Sequence, residues 1–400
     1  MTRLTGQPWL TAPATRAVLD ALEAEGGAGC ARFVGGSVRN ALMGRAVDDV
    51  DIATPLTPER VIAALERAGL KAVPTGVEHG TVTAVAERRP FEITTLRRDV
   101  STDGRRATVA FTDDWAEDAA RRDFRLNALY ADGDGQVFDP TGLGVEDAQA
   151  GRIVFVGEPE RRIREDYLRI LRFFRFMAWY GRGAPDAEGL AACAALKDGL
   201  KQLSAERVSK ELLKLLSAPD PRRAVQAMAD AGVLAEVLPE VGDLARFAAL
   251  SVEHDDPLLR LAALLPDEAA GAEAVARRLR LSNAQRARLV AALDPSAAVR
   301  PTMGPEAGRA ALYRLGRETA LDRLALAEAV EGAASPALRR LFETWPIPRM
   351  PVGGADLARL GVAPGPETGR LLKRFEEDWI AADFPASGHA ARLQQLLETP

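Results

Sequence analysis

The residues of this chain best suited to chemistry are Asp49 and Asp51, at i and i+2, closely preceded by a glycine turn, Gly35-Gly36-Ser37, and by Arg39. In an extended segment, i and i+2 point the same way. Two carboxylates on one face supply the hard oxygen ligands that suit paired Mg²⁺. Glycines let backbone N–H groups approach a phosphate closely. Together these features predict metal-dependent phosphoryl or nucleotidyl transfer. Each is commonplace alone: a Gly-Gly pair is usually only a turn, and Asp-x-Asp in a loop is usually solvated. Their order and closeness carry the reading. No Gly-x-x-x-x-Gly-Lys-Ser/Thr loop competes with it.

A second constellation lies in Arg164–Ala178, which the 3.6-residue period predicts as one amphipathic helix spanning Arg164–Trp179. Ile170, Leu171, Phe174, Met177 and Ala178 share one arc, and Glu165, Arg169 and Arg172 the other, flanked by Asp166 and Arg175. The plain interpretation is a solvated face with pairs such as Glu165–Arg169, each worth roughly 0.2–0.5 kcal/mol. The chemical one is base selection. Cytosine and adenine each offer an amino donor beside a ring-nitrogen acceptor. One Asp and one Arg read both, whereas uracil and guanine present the opposite polarity. Asp166 and Arg169, one turn apart, suit that task, with Arg172 and Arg175 bracing the pair or holding a triphosphate. A buried mismatch costs a few kcal/mol, enough for strong rejection.

Between these regions lies Asp118-Ala-Ala-Arg121-Arg122-Asp123-Phe124, then Asn127. Clusters of this kind are commonly surface salt bridges. The position makes Arg122 a candidate triphosphate ligand, and Asn127 a group that orients neighbouring backbone.

The elements that must position these residues form a small α/β region followed by helices. Strands are predicted at Ala31–Val34, Val50–Ala53, Thr81–Ala86 and Phe91–Leu96, with short ones at Val137–Phe138 and Ile153–Phe155. Helices are predicted at Val38–Met43 and Thr57–Ala68, the latter capped by Thr57 with Pro58 in its first turn. Beyond about residue 158 the pattern is helical, with breaks at Ala218–Pro221, Pro295–Pro305 and Trp345–Pro351. Arg97–Thr108 is polar and reads as a mobile loop. The fold class expected is α+β.

Composition bounds the function. The 400 residues are 47% hydrophobic, enough for real cores, and no apolar run reaches membrane-spanning length. The first residues lack the order of a signal peptide. Two cysteines, Cys30 and Cys193, fit a reducing cytosol, and with three histidines zinc is not expected. A net charge of −5 argues weakly against a broadly basic coat and leaves room for a local RNA-binding stripe.

With the three constellations in this order, the chain resembles the class II, bacterial-type tRNA nucleotidyltransferases, the CCA-adding group of the polymerase-β superfamily, which includes the similar bacterial poly(A) polymerases. The residues that match are Gly35–Arg39 with Asp49 and Asp51, Phe91–Arg97, Arg121–Leu129, Glu165–Phe176 and Ala205–Leu212. The resemblance implies a catalytic head (1–155), a base-recognising neck (156–217), a body (218–298) and an RNA-binding tail (299–400). It implies Mg²⁺ at Asp49 and Asp51, triphosphate contacts from Gly36, Arg39 and Arg122, and base templating by Asp166 and Arg169 with help from Arg172 and Arg175. Glu92 is a possible third acidic group. The substrates implied are CTP, ATP and the 3′ end of tRNA, in the cytoplasm, with no membrane and no stable protein partner. The segment after Leu96 implies complete CCA synthesis, since relatives that stop after CC are shortened there. Asn40 and Arg125 depart from the family pattern, which has Asp and a small polar residue at those places. Trp345 and Trp379 are expected to pack. The alternatives are a poly(A) polymerase on the same head, and a non-catalytic RNA-binding relative.

Overall fold

The computed structural model describes residues 2–103, 106–296 and 298–398. The chain divides between Pro239 and Glu240 into two compact units. That division falls inside the segment expected as a body, and the expected head and neck share the first unit.

Among its described residues the first unit contains nine strands: β1 (Arg32–Val34), β2 (Asp51–Thr54), β3 (Lys71–Gly76), β4 (Thr81–Ala86), β5 (Arg89–Thr95), β6 (Arg97–Asp103), β7 (Arg106–Phe111), β8 (Tyr130–Ala131) and β9 (Val137–Phe138). Seven of them form one sheet in the order β3-β4-β5-β2-β1-β8-β9. Alternation predicted β4 well: Val82, Ala84 and Ala86 are buried and the residues between them are not. Phe33, Ile52 and Ile93 fill the same interior, each worth roughly 1.5–3 kcal/mol of burial. The β2–β5 pair is parallel, and its register sets Asp51 opposite Glu92.

Three helices flank the sheet: α1 (Pro13–Gly26), α2 (Gly36–Leu42) and α3 (Pro58–Arg67). In α3, Val61, Ala64 and Leu65 are buried as the periodicity predicts. Thr57 stands at the N-cap, but its side chain accepts no capping bond. The segment read as a mobile loop is instead an antiparallel ribbon, β6 paired with β7 from Arg97↔Phe111 to Asp103↔Arg106. Residues 104 and 105 lie outside the described residues. Ile153–Phe155 forms no strand, only a bridge from Phe155 to Phe124.

The neck contributes α4 (Pro159–Glu165), α5 (Leu168–Tyr180) and α6 (Ala205–Leu216). The single helix expected at Arg164–Trp179 is thus two. Asp166 is extended (φ −156°, ψ 106°) and ends α4, and its Oδ1 accepts from the Leu168 N–H at 3.1 Å. An Asp side chain that takes a nearby backbone N–H competes with helix continuation, which is the physical reason for the break. Phe124, Phe155, Phe173 and Phe176 form an aromatic core beneath α5, with Phe155 and Phe173 stacked at 5.6 Å.

The second unit is helical among its described residues. One cluster gathers Leu312, Leu324, Leu338 and Phe342, with Trp345 packed against it. Another gathers Leu357, Phe375, Trp379 and Leu393. Both tryptophans therefore pack, as expected. No described helix is long and apolar enough to cross a membrane.

Candidate active site

The glycine turn starts where β1 ends. Gly35 has φ +67° and ψ −115°, a conformation that favours glycine. Its N–H donates to the Leu129 carbonyl at 3.1 Å. A Cβ at Gly35 would lie 3.6 Å from Arg122 Nη1, and one at Gly36 would lie 3.8 Å from Arg39 Nη2. Both guanidinium groups therefore border the turn.

Asp51 opens β2, and Asp49 precedes the strand by two residues. Burial, reinforced by the charges of Glu92 and Asp49 and opposed by Arg122, pushes the Asp51 carboxyl up to about 6. Like charges thus gather where β2 begins beside β5, within the sheet, with little compensation. Among the described residues, no three His, Cys, Asp or Glu converge closely enough to hold a metal unaided. That donor set fits Mg²⁺, which is usually held by one or two carboxylates together with substrate phosphates.

Arg122 is anchored on its other side. Its Nε and Nη2 donate to Asp118 at 3.2 and 2.9 Å, and the Tyr130 hydroxyl donates to the same carboxylate at 2.7 Å. Burial pushes the Asp118 carboxyl up, but Arg122 and Arg121 outweigh it and hold the group down at about 2. Asp118 leaves the Arg122 Nη1 edge turned toward Gly35.

Arg39 is buried, with 6% exposure. Its Nη1 donates to Asn127 Oδ1 at 2.6 Å, its Nη2 to Asn40 Oδ1 and to the Tyr180 hydroxyl at 2.8 Å each, and its Nε to Asn40 at 3.1 Å. The Tyr180 ring lies 3.9 Å from the guanidinium carbon. Asn127 in turn donates to Asp123 Oδ1 at 3.1 Å, and Asp123 Oδ2 accepts from Arg172 Nε at 2.8 Å. Burial raises the Asp123 carboxyl, but Arg172 and Asn127 bring it below its ordinary value.

The remaining neck charges are also paired. Arg169 Nη1 donates to Glu165 at 2.7 Å and to the Arg162 carbonyl at 2.8 Å, and its Nη2 to the Arg121 carbonyl at 3.0 Å. Arg175 meets Glu211 of α6 at 2.5 Å. Asp166 Oδ2 accepts from Arg207 of α6 at 2.7 Å. The solvated-face interpretation fails here, because the Glu165 and Arg169 side chains are only 14% and 13% exposed. The departures are accommodated: Asn40 serves Arg39 and donates to the Ala46 carbonyl at 2.9 Å, and Arg125 approaches the buried Asp147 at 3.7 Å.

Residues 31–154 match the Poly A polymerase head domain, and residues 185–244 match a probable RNA and SrmB-binding site of polymerase A. The mitochondrial CCA tRNA nucleotidyltransferase 1 of Mus musculus is 33% identical over 92% of this chain and 85% of its own length. The chain belongs to the CCA tRNA nucleotidyltransferase family. The CCA-adding enzyme of Streptococcus gordonii is 40% identical over 53% of this chain and 52% of its own. The crystal structure of the Bacillus stearothermophilus CCA-adding enzyme in complex with CTP superposes with a TM-score of 0.79 at 30% identity, covering 97% of this chain and 99% of that one. The family resemblance and the α+β fold read from the sequence are thus both found, and the protein is a nucleotidyltransferase.

Within that family frame, the sequence located the glycine turn and both acidic strands, but not every partner. Asp118 was missed as the anchor of Arg122, although its i, i+4 spacing was a usable signal. Tyr180 had none, since it meets Arg39 across 141 residues of sequence.

Proposed function

We propose that Asp49 and Asp51 are the metal-binding carboxylates of CCA addition to the 3′ end of tRNA from CTP and ATP, with Glu92 adding negative charge opposite Asp51. When bound there, Mg²⁺ would lower the pKa of the attacking 3′-hydroxyl and neutralise charge on the departing pyrophosphate. The Gly35–Gly36 turn, the free Nη1 edge of Arg122 and the nearby Arg39 serve the triphosphate. Asp166 and Arg169 choose the base, and Arg172 and Arg175 hold the neck around them. The observation that carries this reading is the unbalanced acid at Asp51, next to a glycine turn bordered by two guanidinium groups.

Both base-selecting side chains are held by a neighbour: Asp166 pairs with Arg207 and Arg169 with Glu165. Asp166 keeps acceptor capacity beyond its two bonds, enough to take an amino hydrogen from cytosine or adenine. The tail, 299–400, is assigned to tRNA on family grounds. The cytoplasm is the proposed compartment, in keeping with two free, buried cysteines.

The test is incorporation on tRNA lacking its CCA end. With CTP alone, addition stops after two residues, and ATP then adds one. ATP-only homopolymer synthesis would point instead to poly(A) polymerase activity, and no Mg²⁺-dependent incorporation at all would point to a non-catalytic relative.

A further inference from the structure

Arg39 lies beneath the glycine turn, yet each of its three nitrogens already donates to a protein acceptor. Those acceptors are neutral: two amide oxygens and one phenol. One of them, Tyr180, belongs to a different part of the fold. It is the last residue of α5, the helix whose first turn carries Arg169. From Arg169 to Tyr180 the helix runs about 16 Å. Its two ends therefore meet two different parts of the site.

We propose that Tyr180 is a positioning residue for nucleotide binding: by holding Arg39 through its hydroxyl and ring face, it fixes the triphosphate turn against the helix that starts at the base-selecting end. Arg39 then acts on the triphosphate not by direct contact but through the turn, whose Gly35 carbonyl accepts its backbone N–H at 3.0 Å. The base-selecting side chains have their own supports, Arg207 for Asp166 and Glu165 for Arg169. Loosening the Tyr180 contact leaves those supports in place. It should weaken the binding of every nucleotide alike without changing which base is preferred.

This inference rests on the reading of Gly35–Gly36 as the triphosphate site, and the experiment separates the two. Tyr180→Phe keeps the ring and removes one hydrogen bond. It should raise KM for CTP and for ATP by the same factor, roughly fivefold. kcat should stay within twofold, and rejection of UTP and GTP and the thermal midpoint should not change. Arg39→Lys keeps the charge but cannot bridge Asn127, Asn40 and Tyr180, so adding Tyr180→Phe to it should have no further effect. Gly36→Ala, which has ordinary room for its Cβ, should raise both KM values by obstructing phosphate approach. If Gly36→Ala raises KM and Tyr180→Phe does not, or if the Tyr180 and Arg39 effects multiply, the positioning role is overturned. If Gly36→Ala leaves KM unchanged, the triphosphate reading itself falls.

Discussion

The acidic cluster on β2 and β5 and the neck are built on opposite electrostatic principles. In the cluster, Asp51 has Glu92 and Asp49 as neighbours, and the opposing guanidinium, Arg122, is shared with Asp118. In the neck, Arg169, Arg172, Arg175 and Arg207 each have a carboxylate: Glu165, Asp123, Glu211 and Asp166. Unmatched like charges destabilise the ionised form and favour a cationic ligand. Matched, partly buried charges add little net stability but fix side chains in place. One region leaves its charge unmatched and the other holds its charges in pairs.

The contrast can be broken most severely at the acidic cluster. Asp49→Ala or Asp51→Ala should reduce nucleotide incorporation on the order of a thousandfold or more. The thermal midpoint of Asp51→Ala should hold or rise, because the ionised carboxylate is disfavoured in the fold. Activity close to the parent's would remove the metal assignment. In the neck the opposite pattern is expected. Asp123→Ala leaves Arg172 and Asn127 without their acceptor and should cost about 3 kcal/mol in urea unfolding.

Asp166→Ala should relax the rejection of UTP and GTP by roughly a hundredfold while tRNA binding holds. Continued full exclusion of both nucleotides would end the base-selection reading. A pH titration of stability sharpens the comparison further. Asp118, held at about 2, contributes stability that is fully present above its unfolded value near 3.8 and is lost as pH falls through 2. The size is about 2 kcal/mol, and Asp118→Asn should flatten that acid limb in chemical denaturation. The smallest effect is expected at Arg207→Ala. Its pair with Asp166 is about one-third exposed on each side, so the stability change should stay below about 1 kcal/mol.

Legibility followed the range of the forces involved. The strands β2 and β4, the helix α6 and the proline breaks of the second unit were readable because side-chain periodicity and proline chemistry are local. The α4–α5 break was not, because the hydrophobic period runs straight through it. Only the Asp166 side chain, taking the Leu168 N–H, interrupts the helix. The Arg97–Thr108 segment was misread because its polar composition reads as loop, whereas strand pairing of β6 with β7 is what orders it.

By itself, the sequence determined the chemical kinds: a glycine turn with paired carboxylates after it, an arginine-rich helix, and the family these compose. The tertiary structure decided which charges meet. It set Glu92 opposite Asp51 by parallel register, gave Asp166 to Arg207, and closed Tyr180 over Arg39. Those outcomes depend on strand pairing and helix packing between residues far apart in the chain. Local propensity does not contain that information, because an arginine's spacing says what it can bind and only the packed fold says what lies within its reach.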